Sequence, residues 1–524
     1  MRSKNAQVAD VFDAATDALR WVADAAVPAE GGATWPVTRA TGRVGAVLCD
    51  DLYDGTAGVL VAFAEARLSG IADYDEHARA AAGRLRHLAR AGHPSAASPG
   101  PTVTRSSDGP DLTLYSGLSG IAAALRIWAE VSGDLAFRQA ASNLIIGIYE
   151  IGISHNGISD IEAAEAGADE RDSDQSRLGQ PNSTRPDPGQ PDPGQPDPGR
   201  PHPGHPDPGQ PDPGQPDPGQ SDPGQSDPGQ GVRDLIEGDA GVLLTLARLG
   251  SAAGQPAASA LADQIVADAR WVDGQPDWPS AADHTVFKPN FSHGAAGIAF
   301  ALAAASGPLD RPDLLTVAQR AANRLVSLGT RPEGTLAVPY SLPVTAAAQP
   351  HIDTEVSYGW CHGPTGTMRL FQLLDRLQPT AGWAAHVHAG RRAVRASGLP
   401  ARLYPGFWDN LGQCCGTAGV GEMALDAYQE TGDPSWLVWA GELAADVLGR
   451  RITDGQGTRW SNTEYRATPP ELEPMTGWMQ GTAGVAGWLL RLARVYRDGL
   501  AARRIIWPDH VGTLAAWCPS TIRW

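Results

Sequence analysis

Six side chains in this sequence have the types that do chemistry. Cys361 and His362 are neighbours, Cys414 and Cys415 are neighbours, and His293 and Asp234 lie upstream. Thiolates are soft ligands suited to zinc, and three of them with a fourth position open describe a catalytic site better than a closed structural one. A histidine gives or takes a proton near neutral pH. Asp234 could orient that histidine or act as acid or base itself. His362 admits three roles: a fourth ligand, a proton donor, or a group behind the ligands. No short Cys-x-x-Cys is present, so spacing alone says little.

What unites these residues is a long-range repeat. Seven segments share a Gly-x-x-Gly core followed by small and apolar residues: YDGTAGVL, YSGLSGIAAAL, IEGDAGVLLTL, SHGAAGIAFAL, CHGPTGTMRLF, CCGTAGVGEMAL and MQGTAGVAGWLL. Their first glycines, Gly55, Gly117, Gly238, Gly294, Gly363, Gly416 and Gly481, stand 62, 121, 56, 69, 53 and 65 residues apart. His293, Cys361, His362, Cys414 and Cys415 lie at or beside these turns, and Asp234 lies four residues before Gly238. Equivalent positions of successive repeats are neighbours in a closed ring, so the three thiols converge at one rim. Cys49 and Cys518 lie away from the turns and read as ordinary cysteines.

Each repeat has room for two helices. The glycines allow a backbone turn to sit close to a neighbour as a helix begins. The run after each, such as Ile298–Ala303, suits a buried inner helix. Segments such as Asp313–Leu328 and Trp436–Arg450 carry apolar residues at helical spacing and suit an outer one. Seven units close into an all-α double ring of seven inner and seven outer helices. An open solenoid would show polar caps, which are not evident.

The one long gap in the series has a separate cause. From Pro186 to Gln230 a five-residue unit, mostly Pro-Asp-Pro-Gly-Gln, occurs nine times. Almost nothing there is apolar, so it cannot offset the entropy of ordering. The reading is a single folded domain over residues 1–163 and 232–524, interrupted by a disordered insertion over 164–231. The 524 residues carry a formal charge of −18, which argues against a bulk electrostatic grip on nucleic acid or anionic membrane. Five cysteines make no disulfide framework, and no run of 18 apolar residues or secretory h-region appears. The expected setting is the cytoplasm.

The seven repeats, with SHGAAG, GWCHGPTG and QCCGTAG, resemble the lanthionine synthetase C (LanC) family over almost the whole chain apart from the insertion. The resemblance implies an α/α toroid with zinc at its rim. It also implies addition of a peptide cysteine thiol to dehydroalanine or dehydrobutyrine, closing a thioether ring. Cys361 and Cys414 match the two zinc cysteines, and Cys415 stands where many members carry a histidine ligand. His293 matches the acid/base histidine, and Asp234, in DLIEG, an active-site aspartate. The chain departs from the pattern in its all-cysteine set and in Ser357, which stands where the bacterial cyclases have an arginine. His362 stands where some members have tyrosine. The WCHG form also resembles eukaryotic LanC-like proteins, which act on glutathione and dehydroamino acids.

The expected chemistry follows. A free thiol is mostly protonated at neutral pH, and zinc deprotonates it outright. The thiolate attacks the β-carbon, and His293 protonates the α-carbon while Asp234 holds it. The first repeat begins at Gly55, leaving no room before it for a dehydratase region. The expected partners are a dehydrated precursor peptide and a separate dehydratase. Three other readings remain: a transferase of glutathione or another small thiol, a non-catalytic toroid that binds, and a carbohydrate-active α/α barrel. The last needs paired carboxylates where this rim offers thiols and histidine.

Overall fold

A computed structural model describes residues 4–38, 47–91, 110–155, 232–280, 284–331, 333–344, 356–403, 409–463 and 470–511. The repeat tract and Cys518 fall outside these residues. The described chain is mostly helical. In order come α1 (Lys4–Ala23), α2 (Thr56–Leu68), α3 (Asp75–Ala91), α4 (Leu118–Ser132), α5 (Leu135–His155), α6 (Asp239–Leu249) and α7 (Gln255–Ala267). Then follow α8 (Ala295–Ser306), α9 (Pro312–Gly329), α10 (Pro364–Leu377), α11 (Ala384–Ala396), α12 (Thr417–Thr431), α13 (Pro434–Gly449) and α14 (Thr482–Asp498). The strands among the described residues span two to five residues each and pair antiparallel.

Even-numbered and odd-numbered helices occupy different environments. All seven even helices begin at a Gly-x-x-Gly, whose first glycine is the N-cap in extended backbone. These glycines answer to crowding. A Cβ on Gly294 would lie 1.7 Å from the Lys288 carbonyl oxygen, and one on Gly366 would lie 1.9 Å from that of Trp360. α8 buries every one of its residues, which explains why its sequence is apolar all round. α9 instead buries the single stripe Leu314, Val317, Ala318, Ala321, Ala322 and Leu325. Both segments singled out as amphipathic therefore fall in odd helices, α9 and α13.

The even helices pack in a cycle, α2 on α4, α4 on α6, and onward until α14 returns to α2; each odd helix backs an even one. Backbone hydrogen bonds between the turns trace the same cycle. Tyr53 N–H donates to Tyr115 C=O, Tyr115 to Ile236, and Ile236 to Ser292. Ser292 then donates to Cys361, Cys361 to Cys414, Cys414 to Met479, and Met479 back to Tyr53. Each donor or acceptor stands two residues before the first glycine of its repeat. Inside this ring runs the segment 502–511. Its Asp509 carboxylate accepts from Trp360 Nε1 at 2.9 Å and from Tyr115 Oη at 3.3 Å, and pairs with Arg369. No described helix is long and apolar enough to cross a membrane.

Candidate functional site

The hydrogen-bonded turns bring equivalent residues of successive repeats side by side. Cys361, Cys414 and Cys415 have their sulfurs within 4.8 Å of one another. Cys361 Sγ lies 3.1 Å from Cys415 Sγ, and Cys415 Sγ 3.4 Å from Cys414 Sγ. Hydrogen bonds with Cys361 and Cys414 hold the Cys415 thiol well below its ordinary range, while Cys361 and then Cys415 push the Cys414 thiol up. The donor set fits a zinc ion: tetrahedral zinc–thiolate shells have S···S edges of about 3.8 Å, and clustered thiols can exchange their protons, released to solvent, for one shared cation. His362 is outside this sulfur cluster. It is 8% exposed, with its ring 4.1 Å from Tyr340 and 5.8 Å from His293. Burial, then the charges of His293 and Lys288, push its pKa well down, so the ring is neutral.

His293 and Asp234, 59 residues apart, meet across the repeat boundary. His293 Nδ1 lies 2.9 Å from Asp234 Oδ2, while Asp234 Oδ1 accepts the Glu237 backbone N–H at 2.8 Å. The carboxylate is therefore fixed at both oxygens. It selects the tautomer with hydrogen on Nδ1, leaving Nε2 to act. The imidazole is 29% exposed and the carboxylate 13%, so the histidine is the more reachable of the two. Beside them, burial and then the Asp234 charge push the Glu237 carboxyl up.

Three residues of this site have no chemical signature in the sequence. Gln480 Nε2 donates to Cys415 Sγ at 3.5 Å and to Tyr53 Oη at 3.1 Å, and Asn410 Nδ2 donates to Gln480 Oε1 at 2.8 Å. Burial, then the charges of Cys414 and Cys415, push the Tyr53 hydroxyl well up, so it remains an O–H donor. One signal was available for Gln480. It directly precedes Gly481, the slot that His293, His362 and Cys415 fill in their own repeats.

Comparison with known proteins agrees with this architecture. Among solved structures the chain is similar to nisin cyclase, at 12% identity and a TM-score of 0.53, covering 86% of this chain and 93% of that one. That likeness concerns the fold. An unsaturated glucuronyl hydrolase from Bacillus sp. GL1 is similar at 11% identity over 82% of this chain and 96% of its own, but its TM-score of 0.42 carries no argument. Among curated proteins none matches the sequence. The family described as Lanthionine synthetase C-like protein matches residues 220–499, more than half of the chain, including Asp234, His293, Cys361, His362, Cys414 and Cys415. With seven Gly-x-x-Gly turns in a cycle and three thiols clustered on two neighbouring turns, this chain belongs to the lanthionine synthetase C-like family.

Proposed function

We propose that the protein is a zinc-dependent lanthionine cyclase built as a single α/α toroid domain. It adds the thiol of a peptide cysteine to a dehydroalanine or dehydrobutyrine of the same peptide. The observation that carries this reading is the juxtaposition of the three-sulfur cluster with a carboxylate-oriented histidine at the same ring of turns. Cys361, Cys414 and Cys415 would hold one zinc, which would acidify a thiol coordinated beside them and orient its sulfur.

The remaining work falls to the chain itself. As sulfur bonds to the β-carbon, the C=C electron pair moves to the α-carbon and its carbonyl. The thiol proton goes to solvent, and a proton must reach the α-carbon. His293 delivers it from Nε2, with Asp234 holding the opposite nitrogen and stabilising the imidazolium. No redox change occurs. Ser357 offers no positive charge to the enolate. The proposed setting is the cytoplasm, which keeps thiols reduced, with a separate dehydratase preparing the precursor peptide.

Cyclisation leaves peptide mass unchanged but consumes a thiol, so alkylation with N-ethylmaleimide followed by mass spectrometry reads it directly. Wild-type protein with zinc should abolish alkylation of a dehydrated, cysteine-containing peptide. Cys361→Ala should lose zinc and activity together, whereas His293→Ala should keep zinc and lose ring closure. Loss of zinc from His293→Ala would refute the assigned role. The WCHG motif supports a second reading, a small-thiol transferase; glutathione added to the same assay should then appear as an adduct on the peptide.

A further inference from the structure

We infer that Tyr53, Gln480 and Asn410 form a positioning relay that aims a hydrogen-bond donor at Cys415 Sγ, tuning its charge as a metal ligand. The inference rests on the zinc reading above. Direction in this relay is set at its far end, by the main chain. Asn410 Oδ1 accepts the Gly412 backbone N–H at 2.9 Å, so its amide nitrogen must face the other way. That nitrogen donates to Gln480 Oε1 at 2.8 Å, which turns the Gln480 amide nitrogen toward the site. One of its hydrogens goes to Cys415 Sγ at 3.5 Å and the other to Tyr53 Oη at 3.1 Å. Tyr53 Oη thus takes up the second amide hydrogen, which keeps the first on the sulfur.

The main chain of Gln480 is held as firmly as its side chain. Asn462 Nδ2 donates to the Gln480 carbonyl at 2.8 Å, while Asn462 Oδ1 accepts the Leu411 N–H at 3.0 Å. Two backbone N–H groups, of Leu411 and Gly412, thus fix both asparagines. Each step leaves one orientation available to the next.

The relay answers a problem posed by the ligand set. Three thiolates around a divalent cation carry net charge −1, and a substrate thiolate in the fourth position makes it −2. A donor on a thiolate draws charge from the sulfur and lowers that cost, as outer partners do at metal sites generally. The relay reaches Cys415, in the sixth repeat, from Gln480 in the seventh, with Tyr53 of the first repeat behind it. Its Tyr53 end is in place only because the ring closes.

The test uses the full-length protein loaded with cobalt(II) in place of zinc, read by its sulfur-to-cobalt charge-transfer absorption. Gln480→Met removes the donor to the sulfur and Tyr53→Phe removes the acceptor that holds that donor in place, both while keeping bulk. Both should move the band to lower energy and weaken zinc binding, measured by chelator competition, by roughly 10- to 100-fold. Asn410→Asp keeps the acceptor for Gly412 but loses the donor to Gln480, and should shift the band in the same direction. Unmoved bands in Tyr53→Phe and Gln480→Met, even with lower melting temperatures, would overturn the relay and leave a packing role. Wild-type protein that takes up no cobalt would overturn the zinc reading itself, and the relay with it.

Discussion

Gly366→Ala tests how tightly the fold and the thiol cluster are linked. Gly366 lies in the first turn of α10, directly beneath the turn that carries Cys361. A Cβ there would meet the Trp360 carbonyl oxygen at 1.9 Å, the Trp360 carbonyl carbon at 3.0 Å and Phe291 Cβ at 2.8 Å. Real Cβ atoms stop at about 3.0 Å, so the oxygen contact alone must open by roughly 1.1 Å. The obstruction is backbone, whose only relief is to move the turn. Cys361 is the next residue, and metal–ligand distances tolerate only about 0.2 Å. The displacement exceeds that tolerance about fivefold. Overpacking of this kind costs about 1–3 kcal/mol of stability, and the zinc stoichiometry should fall well below that of the wild type. Gly147→Ala is the control: it sits within α5 with nothing near its Cβ, and should gain about 0.5–1 kcal/mol without touching the metal. Elemental analysis of both variants, beside thermal unfolding, makes the comparison. Full zinc content in Gly366→Ala would refute the claim that this glycine's lack of a side chain sets the position of the thiol.

Three further expectations follow from individual residues. Burial and then the Asp51 charge push the Asp54 carboxyl up from 3.8 to about 7, and its Oδ1 is buried without a partner. The unfolded chain releases this proton first, so stability falls as pH rises from about 4 to about 7, by about 4 kcal/mol in all. Asp54→Asn should be unchanged at pH 4 and more stable at pH 8 by that order; denaturant curves that shift in parallel with the wild type across this range would contradict it. Asp234→Asn keeps the shape of the partner to His293 but can present an N–H to Nδ1 and reverse the tautomer. It should cut cyclisation by roughly 10²–10⁴-fold while zinc content stays constant, and near-wild-type turnover would remove Asp234 from the machinery. Asp509 is buried against Arg369, Trp360 and Tyr115. Asp509→Ala leaves that guanidinium without its carboxylate and should cost about 3–5 kcal/mol in equilibrium unfolding; a loss under 1 kcal/mol would show that the segment 502–511 does not brace the ring.

The period of the molecule and the residue types of the candidate site are legible in the sequence. The Gly-x-x-Gly turns are legible because crowding at a helix start admits only glycine. The inner and outer helices are legible because burial on all sides or on one stripe leaves different apolar patterns, as α8 and α9 illustrate. Cys361, Cys414, Cys415 and His293 stand out because their types are rare and their slots repeat. Tertiary structure alone decided the pairings. Asp234 has the look of any carboxylate near a helix start until ring packing sets it against His293. Tyr53, Asn410 and Gln480 are ordinary polar residues, separated by up to 427 positions, and only closure of the cycle brings the first repeat against the seventh. The brace formed by Asp509 likewise depends on the segment 502–511 entering the ring, which no local pattern encodes. Local pattern records what each residue is buried against on average; which partner it meets is a property of the closed ring.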